Sequence, residues 1–190
     1  MRIFRWLVAL STVALVAASC RTPEQPAAPE PEAPKPVVTL REVMHTIIEY
    51  NAFKIFNAVA ITITAEGTSE KEPRTDEEWD DVLHAAIALS EAPNLLVNIG
   101  HDGRTIAFPQ DMDTPAGEGE LAPTQIQVRI DEKKDLWLKY LNDLQSVGRE
   151  TMDVVNKKSK DGLFEIGEKI DQVCETCHME FWYPEAPPQP

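Results

Sequence analysis

From Thr39 onward apolar residues return every three or four positions, and that spacing leaves few folds open to the chain. Leu40, Val43, Met44, Ile47, Ile48, Ile55, Phe56 and Val59 make the first such series. Side chains at this spacing share one face of an α-helix, so the segment predicts an amphipathic helix with a single buried side. Thr39 with Glu42 three residues on has the pattern of a capping box and marks its start. The run fades towards Gly67. Residues 61–64 have β-branched, strand-like composition, but no partner strand is evident nearby.

Three more segments repeat the pattern. Thr75 and Glu78 form a second capping box, and Asp76 and Glu77 suit the positive end of the helix dipole. Trp79, Val82, Leu83, Ala86, Ile87 and Leu89 supply the apolar side, and Pro93 kinks the helix or ends it near Ala92, with a further turn over Asn94, Leu95 and Leu96 as the alternative. A third helix is expected over residues 131–157, with Trp137, Leu141, Leu144, Gly148, Met152 and Val155 on one side. A fourth follows over residues 160–182, with a stripe of Leu163, Ile166, Gly167, Ile170, Cys174, Cys177 and Phe181. Gly167 is read as the site of a close helix crossing. Residues 100–123, dotted with Gly, Pro and Asp, read as a loop across one end. Short connections imply antiparallel neighbours, so the expected fold is all-α, an antiparallel four-helix bundle over residues 39–183.

The ends differ in kind. Arg2 and Arg5 precede an uncharged run over residues 6–18, too short for a comfortable membrane span and laid out as a signal peptide over residues 1–19. Ala17, Ala18 and Ser19 then lead into Cys20, a pattern that resembles the lipobox of bacterial lipoproteins. That resemblance implies acylation of Cys20 and an anchor on the periplasmic side of a bacterial membrane, inner or outer. Ordinary leader cleavage is the alternative. Six prolines between Pro23 and Pro36 hold residues 20–38 near polyproline II, a disordered tether that cannot bury a core. Residues 184–190 form a second proline-rich, disordered tail. With 18 basic and 32 acidic residues the net charge is −14, which repels phosphate backbones and argues against nucleic-acid partners. The same charge favours partners with a basic docking surface, although most such charge merely solvates a surface.

The chemistry concentrates in Cys174-Glu175-Thr176-Cys177-His178, the C-x-x-C-H signature of covalent haem attachment. Cysteines three apart on a helix lie on nearly the same side, where both sulfurs can reach the two vinyl groups of one porphyrin. The next residue offers an imidazole to the iron. A thioredoxin-type C-x-x-C would open a helix after a strand, and none precedes it here. Zinc would want about four ligands. A disulfide across three helical residues would be strained. The expected cofactor is therefore one covalent haem c. His84, among Leu83 and Ala85, reads as a surface histidine, and His101 as a solvated loop residue. Trp79 and Trp137 read as core tryptophans before porphyrin contacts. Asp76, Glu77 and Glu78 make a solvated helix start, and no acid-base pair or nucleophile motif points to an enzyme.

A C-x-x-C-H near the C-terminus of a four-helix bundle resembles the class II c-type cytochromes, the cytochrome c′-like family. The resemblance covers residues 39–183 and rests on VMHTIIEYN, PRTDEEWDDV, EAPNLL and CETCH. After the histidine the family often has an aromatic and then a basic residue, where this chain has Phe181 and Trp182. The resemblance implies that the first helix faces the distal side of the haem. Low-spin members present a methionine there, where Met44 stands; high-spin members leave the iron open. From the residues alone Met44 reads as core filler before ligand. The neighbouring His45 points about 100° away on an ideal helix. The implied function is electron transfer between redox partner proteins by a membrane-tethered mono-haem cytochrome, with His178 and Met44 as axial ligands. A five-coordinate protein binding nitric oxide or carbon monoxide is the alternative, a haem-bearing structural subunit of a larger complex a third reading, and homodimers occur in the family.

Overall fold

The computed structural model describes residues 34–115 and 117–183. The signal peptide, Cys20, residues 20–33 of the tether and the tail at 184–190 lie outside the described residues. What is described is mostly helical with one small two-stranded sheet, which supports the all-α expectation at that level.

Helix α1 (Leu40–Val43) opens on the expected capping box. The Thr39 hydroxyl accepts from the Glu42 N–H, and the Glu42 carboxylate accepts from the Thr39 N–H at 2.9 Å. Two further N–H groups of this helix end find carbonyls in the irregular segment: Leu40 donates to Thr105 at 2.8 Å and Arg41 to Ile106 at 3.0 Å. The irregular segment is thus docked on the helix start at Thr105 and Ile106. The helix then widens into a π-helical turn, Met44–Glu49, before α2 (Tyr50–Phe56).

Residues 61–64 do have a partner. β1 (Ala60–Thr64) pairs antiparallel with β2 (Gly67–Lys71), in register from Ala60 opposite Lys71 to Thr64 opposite Gly67. Gly67 turns at φ +138°, a conformation that L side chains rarely adopt. Both strands are exposed over residues 61–71, so burial leaves no alternating pattern in β2 for a reader to find. Lys160, at the start of the last helix, reaches Glu70 at 2.7 Å and ties the hairpin down.

Helix α3 (Asp76–Glu91) has its Thr75–Glu78 box and ends in a 3₁₀ turn, Ala92–Leu95, carrying Pro93. Trp79 is buried on its core side, whereas Ile87 is 39% exposed, outside the stripe expected for it. The third helix begins differently from expectation. Pro123 opens a separate helix, α4 (Pro123–Glu132), and Lys133 at φ −121°, ψ +42° breaks it from α5 (Lys134–Asn156). Proline at the first helical position sacrifices no hydrogen bond and presets φ, so it starts a helix well. α6 (Lys160–Phe181) follows a short turn and ends one residue before the expected limit.

α3 packs on α5, α5 on α6, and α2 on both α3 and α6. Ile55, Leu89, Leu163, Ile166, Ile170 and Phe181 are fully buried between them, each worth about 1.5–3 kcal/mol of transfer free energy. The close crossing lies at Gly148, not Gly167. A Cβ on Gly148 would sit 2.8 Å from the backbone N and Cα of Ser90, whereas one on Gly167 would meet only the Phe56 ring at an ordinary 3.6 Å.

Candidate functional site

α6 carries the C-x-x-C-H residues in its last two turns, so their placement depends on how that helix end is held. α4, absent from the expected elements, does this. Arg129 Nη1 donates to the carbonyls of Glu180 at 3.0 Å and Tyr183 at 2.7 Å, satisfying acceptors that a helix C-terminus leaves open. Lys133 adds an ion pair to Glu180 at 2.5 Å. The Leu121 N–H donates to the Trp182 carbonyl at 2.9 Å, and the N–H groups of Trp182 and Tyr183 both return to the His178 carbonyl.

The face of α6 so fixed borders a cavity of about 380 Å³. Cys174, Cys177 and His178 line one side, with Val173 and Trp182 beside them. The segment from Met44 to Phe56 lines a second, through Met44, Ile48, Ala52 and Phe56. Trp137, Tyr140, Leu141 and Leu144 of α5 form the floor, and Ile106, Leu121, Pro123 and Ile126 close a further side. The lining is chiefly apolar. Its polar exceptions are Arg41, His45, Glu49, Glu120 and the hydroxyls of Tyr140 and Tyr183, with His178 itself. Glu120 Oε2 is buried and has no hydrogen-bond partner among the described residues.

Burial sets the protonation of the α6 triplet. It raises the Cys174 thiol to about 11, with help from the Asp171 and Glu175 carboxylates. It raises Cys177 to about 12, assisted by Cys174, Glu180 and Asp143. These are neutral, unpaired thiols at physiological pH, the reverse of the depressed thiol that a disulfide oxidoreductase needs. Burial likewise lowers the pKa of His178, against the opposing pull of Glu175, Glu120 and Glu49. The imidazole is held towards its neutral form, the form that donates a lone pair to a metal. Its ring lies against Trp182, centroids 5.8 Å apart and planes tilted 48°.

The four residues expected to grip a haem, Cys174, Cys177, His178 and Met44, therefore border one cavity. His45 borders it as well, with its side chain mostly exposed at the rim. Trp137 belongs to the lining and is fully buried, its Nε1 donating to the Leu96 carbonyl at 3.1 Å; Trp79 is core only. His84 and His101 are exposed and take no part. Among the described residues no three His, Cys, Asp or Glu side chains gather to hold a bare metal ion. The residues present do fit an iron porphyrin: a large apolar cavity, two neutral thiols one helical turn apart, and an imidazole beside them.

Sequence reasoning missed Tyr140, Trp182 and Glu120. Trp182 stands four residues after His178 and Tyr140 three after Trp137, so helical spacing alone would have placed both near the site. Glu120 comes from irregular chain, which carries no periodic signal. No family model, curated protein or solved structure matches this chain. Among the described residues no helix is long and apolar enough to cross a membrane.

Proposed function

We propose that the chain is a c-type cytochrome carrying one haem, attached through Cys174 and Cys177, with His178 as one axial ligand and Met44 as the other. Within that class we assign it to the cytochrome c′-like group, an antiparallel four-helix bundle formed by the α1–α2 segment, α3, α5 and α6. The observation that carries the reading is that one apolar cavity is bordered by the whole C-x-x-C-H triplet and by Met44.

A haem held there supplies an iron that cycles between two oxidation states. Everything else is the work of the chain. The two sulfurs of α6 hold the group as thioethers, so it stays without tight non-covalent binding. His178, kept neutral by burial, donates its nitrogen, and Trp182 packs on its ring and limits its rotation. Met44 offers a soft thioether, which favours the reduced metal and a potential suited to electron transfer. Trp137, Leu141, Leu144 and Ile126 keep water from the interior. The acylated Cys20 and the proline-rich tether would keep the domain beside a bacterial membrane on the periplasmic side, and the acidic surface favours redox partners with a basic face.

The test is to express the full chain with a working haem maturation system and record its intact mass and spectra. The expected mass is that of the processed chain plus one haem, lost in the variant with Cys174→Ser and Cys177→Ser together. The expected oxidised spectrum is low-spin with a methionine-to-iron charge-transfer band. A colourless protein would sink the proposal. A high-spin spectrum with rapid carbon monoxide uptake by the reduced form would move it to the gas-binding reading.

A further inference from the structure

Neighbouring residues of an α-helix lie about 100° apart, so a helix that centres Met44 on a narrow cavity would carry His45 to its edge or beyond. The π-helical turn Met44–Glu49 alters that geometry. Met44 and His45, and Ile48 and Glu49, border the cavity as adjacent pairs within that turn, and Ala52 and Phe53 do so from the ordinary helix α2, so the cavity is broad enough to meet both members of a pair. A wider turn moves successive residues round the axis by a smaller angle, and π-helical turns concentrate at functional sites. Two potential donors to the same metal position, a thioether and an imidazole, therefore stand side by side on the wall that faces the C-x-x-C-H helix.

His45 is also held as a ligand would be. Its Nδ1 lies 2.7 Å from Glu49 Oε2, one helical turn on. A carboxylate accepting from Nδ1–H leaves the lone pair on Nε2, the arrangement by which metal-binding histidines are oriented and their basicity raised. The His45 side chain is 62% exposed, so it stands at the rim of the cavity and not in the core.

We infer that His45 is a second distal donor, which takes the sixth iron position whenever Met44 does not hold it. The inference rests on the haem reading above and deepens it. The distal wall then supplies a choice between a soft sulfur and a harder nitrogen, and removing the sulfur leaves the iron six-coordinate. Glu49 is the positioning residue for that nitrogen.

The experiment uses the full-length chain matured with haem, each variant checked by intact mass for the cofactor. Met44→Ala is expected to lose the methionine charge-transfer band yet remain low-spin, with a bis-histidine signature in electron paramagnetic resonance and slow carbon monoxide binding. Adding His45→Ala is expected to convert it to a high-spin, five-coordinate form that binds carbon monoxide rapidly. Adding Glu49→Gln to Met44→Ala lowers the low-spin fraction. Met44→Leu, which keeps the side-chain volume, serves if the alanine variant does not fold. A haem-loaded Met44 variant that is high-spin and matches the double variant overturns the role of His45 and leaves the haem reading intact. A chain whose mass lacks haem overturns both.

Discussion

Around Gly148 the helices approach until no atom could be added between them, and around His178 they stand apart. At the first place α5 lies so near α3 that a single methyl would meet the Ser90 backbone at 2.8 Å. At the second, α6, α5 and the α1–α2 segment surround about 380 Å³ of space. That space opens to solvent past His45, Glu49 and Phe53, and its walls are apolar side chains that an apolar occupant would shield from water. A chain able to pack to contact in one half does not leave such room in the other through poor packing. The opening lies where Cys174, Cys177, His178 and Met44 border one space, the residues to which the haem proposal assigns roles.

The sharpest way to probe the open end is through its thiols. In the haem-free, folded chain with Cys20 replaced by serine, Cys174 titrates near 11 and Cys177 near 12 because burial disfavours the thiolate. The thiolate share at pH 8 is then about one in a thousand and one in ten thousand, against roughly one in four for an ordinary cysteine. Alkylation by iodoacetamide at pH 8 is expected to run slower than in the urea-unfolded chain by two to three orders of magnitude. The rate should climb about tenfold per pH unit from pH 8 to 10, since raising pH restores the reactive form. Equal rates in the folded and unfolded chains would show that the two sulfurs are not shielded.

The closed end gives the second test. Gly148→Ala forces α3 and α5 apart, because the obstruction is Ser90 backbone and not the end of a flexible side chain. A loss of about 1–3 kcal/mol is expected from overpacking, read as a lower urea midpoint with unchanged slope. Gly167→Ala should differ in sign or be neutral, since its nearest neighbour is an aromatic ring at contact distance and alanine favours the helix. If the two variants behaved alike, the close approach at Gly148 would be in error.

That contrast also marks what could be read beforehand. Both capping boxes, the stop at Pro93 and the apolar stripe of α6 follow local rules, and each is found where the residues put it. Which of two stripe glycines meets a neighbour depends on the partner helix, and nothing local distinguishes Gly148 from Gly167. The hairpin escaped because Thr68, Ser69 and Glu70 are all exposed, so β2 has no buried face to announce it. The π-helical turn escaped because its apolar residues keep the spacing of a common helix while the backbone widens. For the candidate site, the α6 residues came from a motif and Met44 from a family resemblance, and the structure adds that they border one cavity. The side built from Ile106, Glu120 and Leu121 was not legible, because irregular chain places residues through distant contacts such as the Leu121–Trp182 hydrogen bond.

The smallest effect sharpens the comparison most directly, because it asks the two ends to respond oppositely to added volume. Ala52 is buried on α2 and faces the cavity. In the haem-free chain, Ala52→Leu places three more carbons in open space, and leucine is nearly as good a helix former as alanine. A gain of about 0.5–1 kcal/mol is expected, as is common for filling a cavity, where one carbon at Gly148 is expected to cost more than that. The same leucine occupies room that the proposed haem requires, so maturation of this variant should yield less coloured protein than the parent. A destabilised Ala52→Leu chain would mean that the space beside α6 closes when empty, and the difference between the two ends would then belong to the occupant and not to the fold.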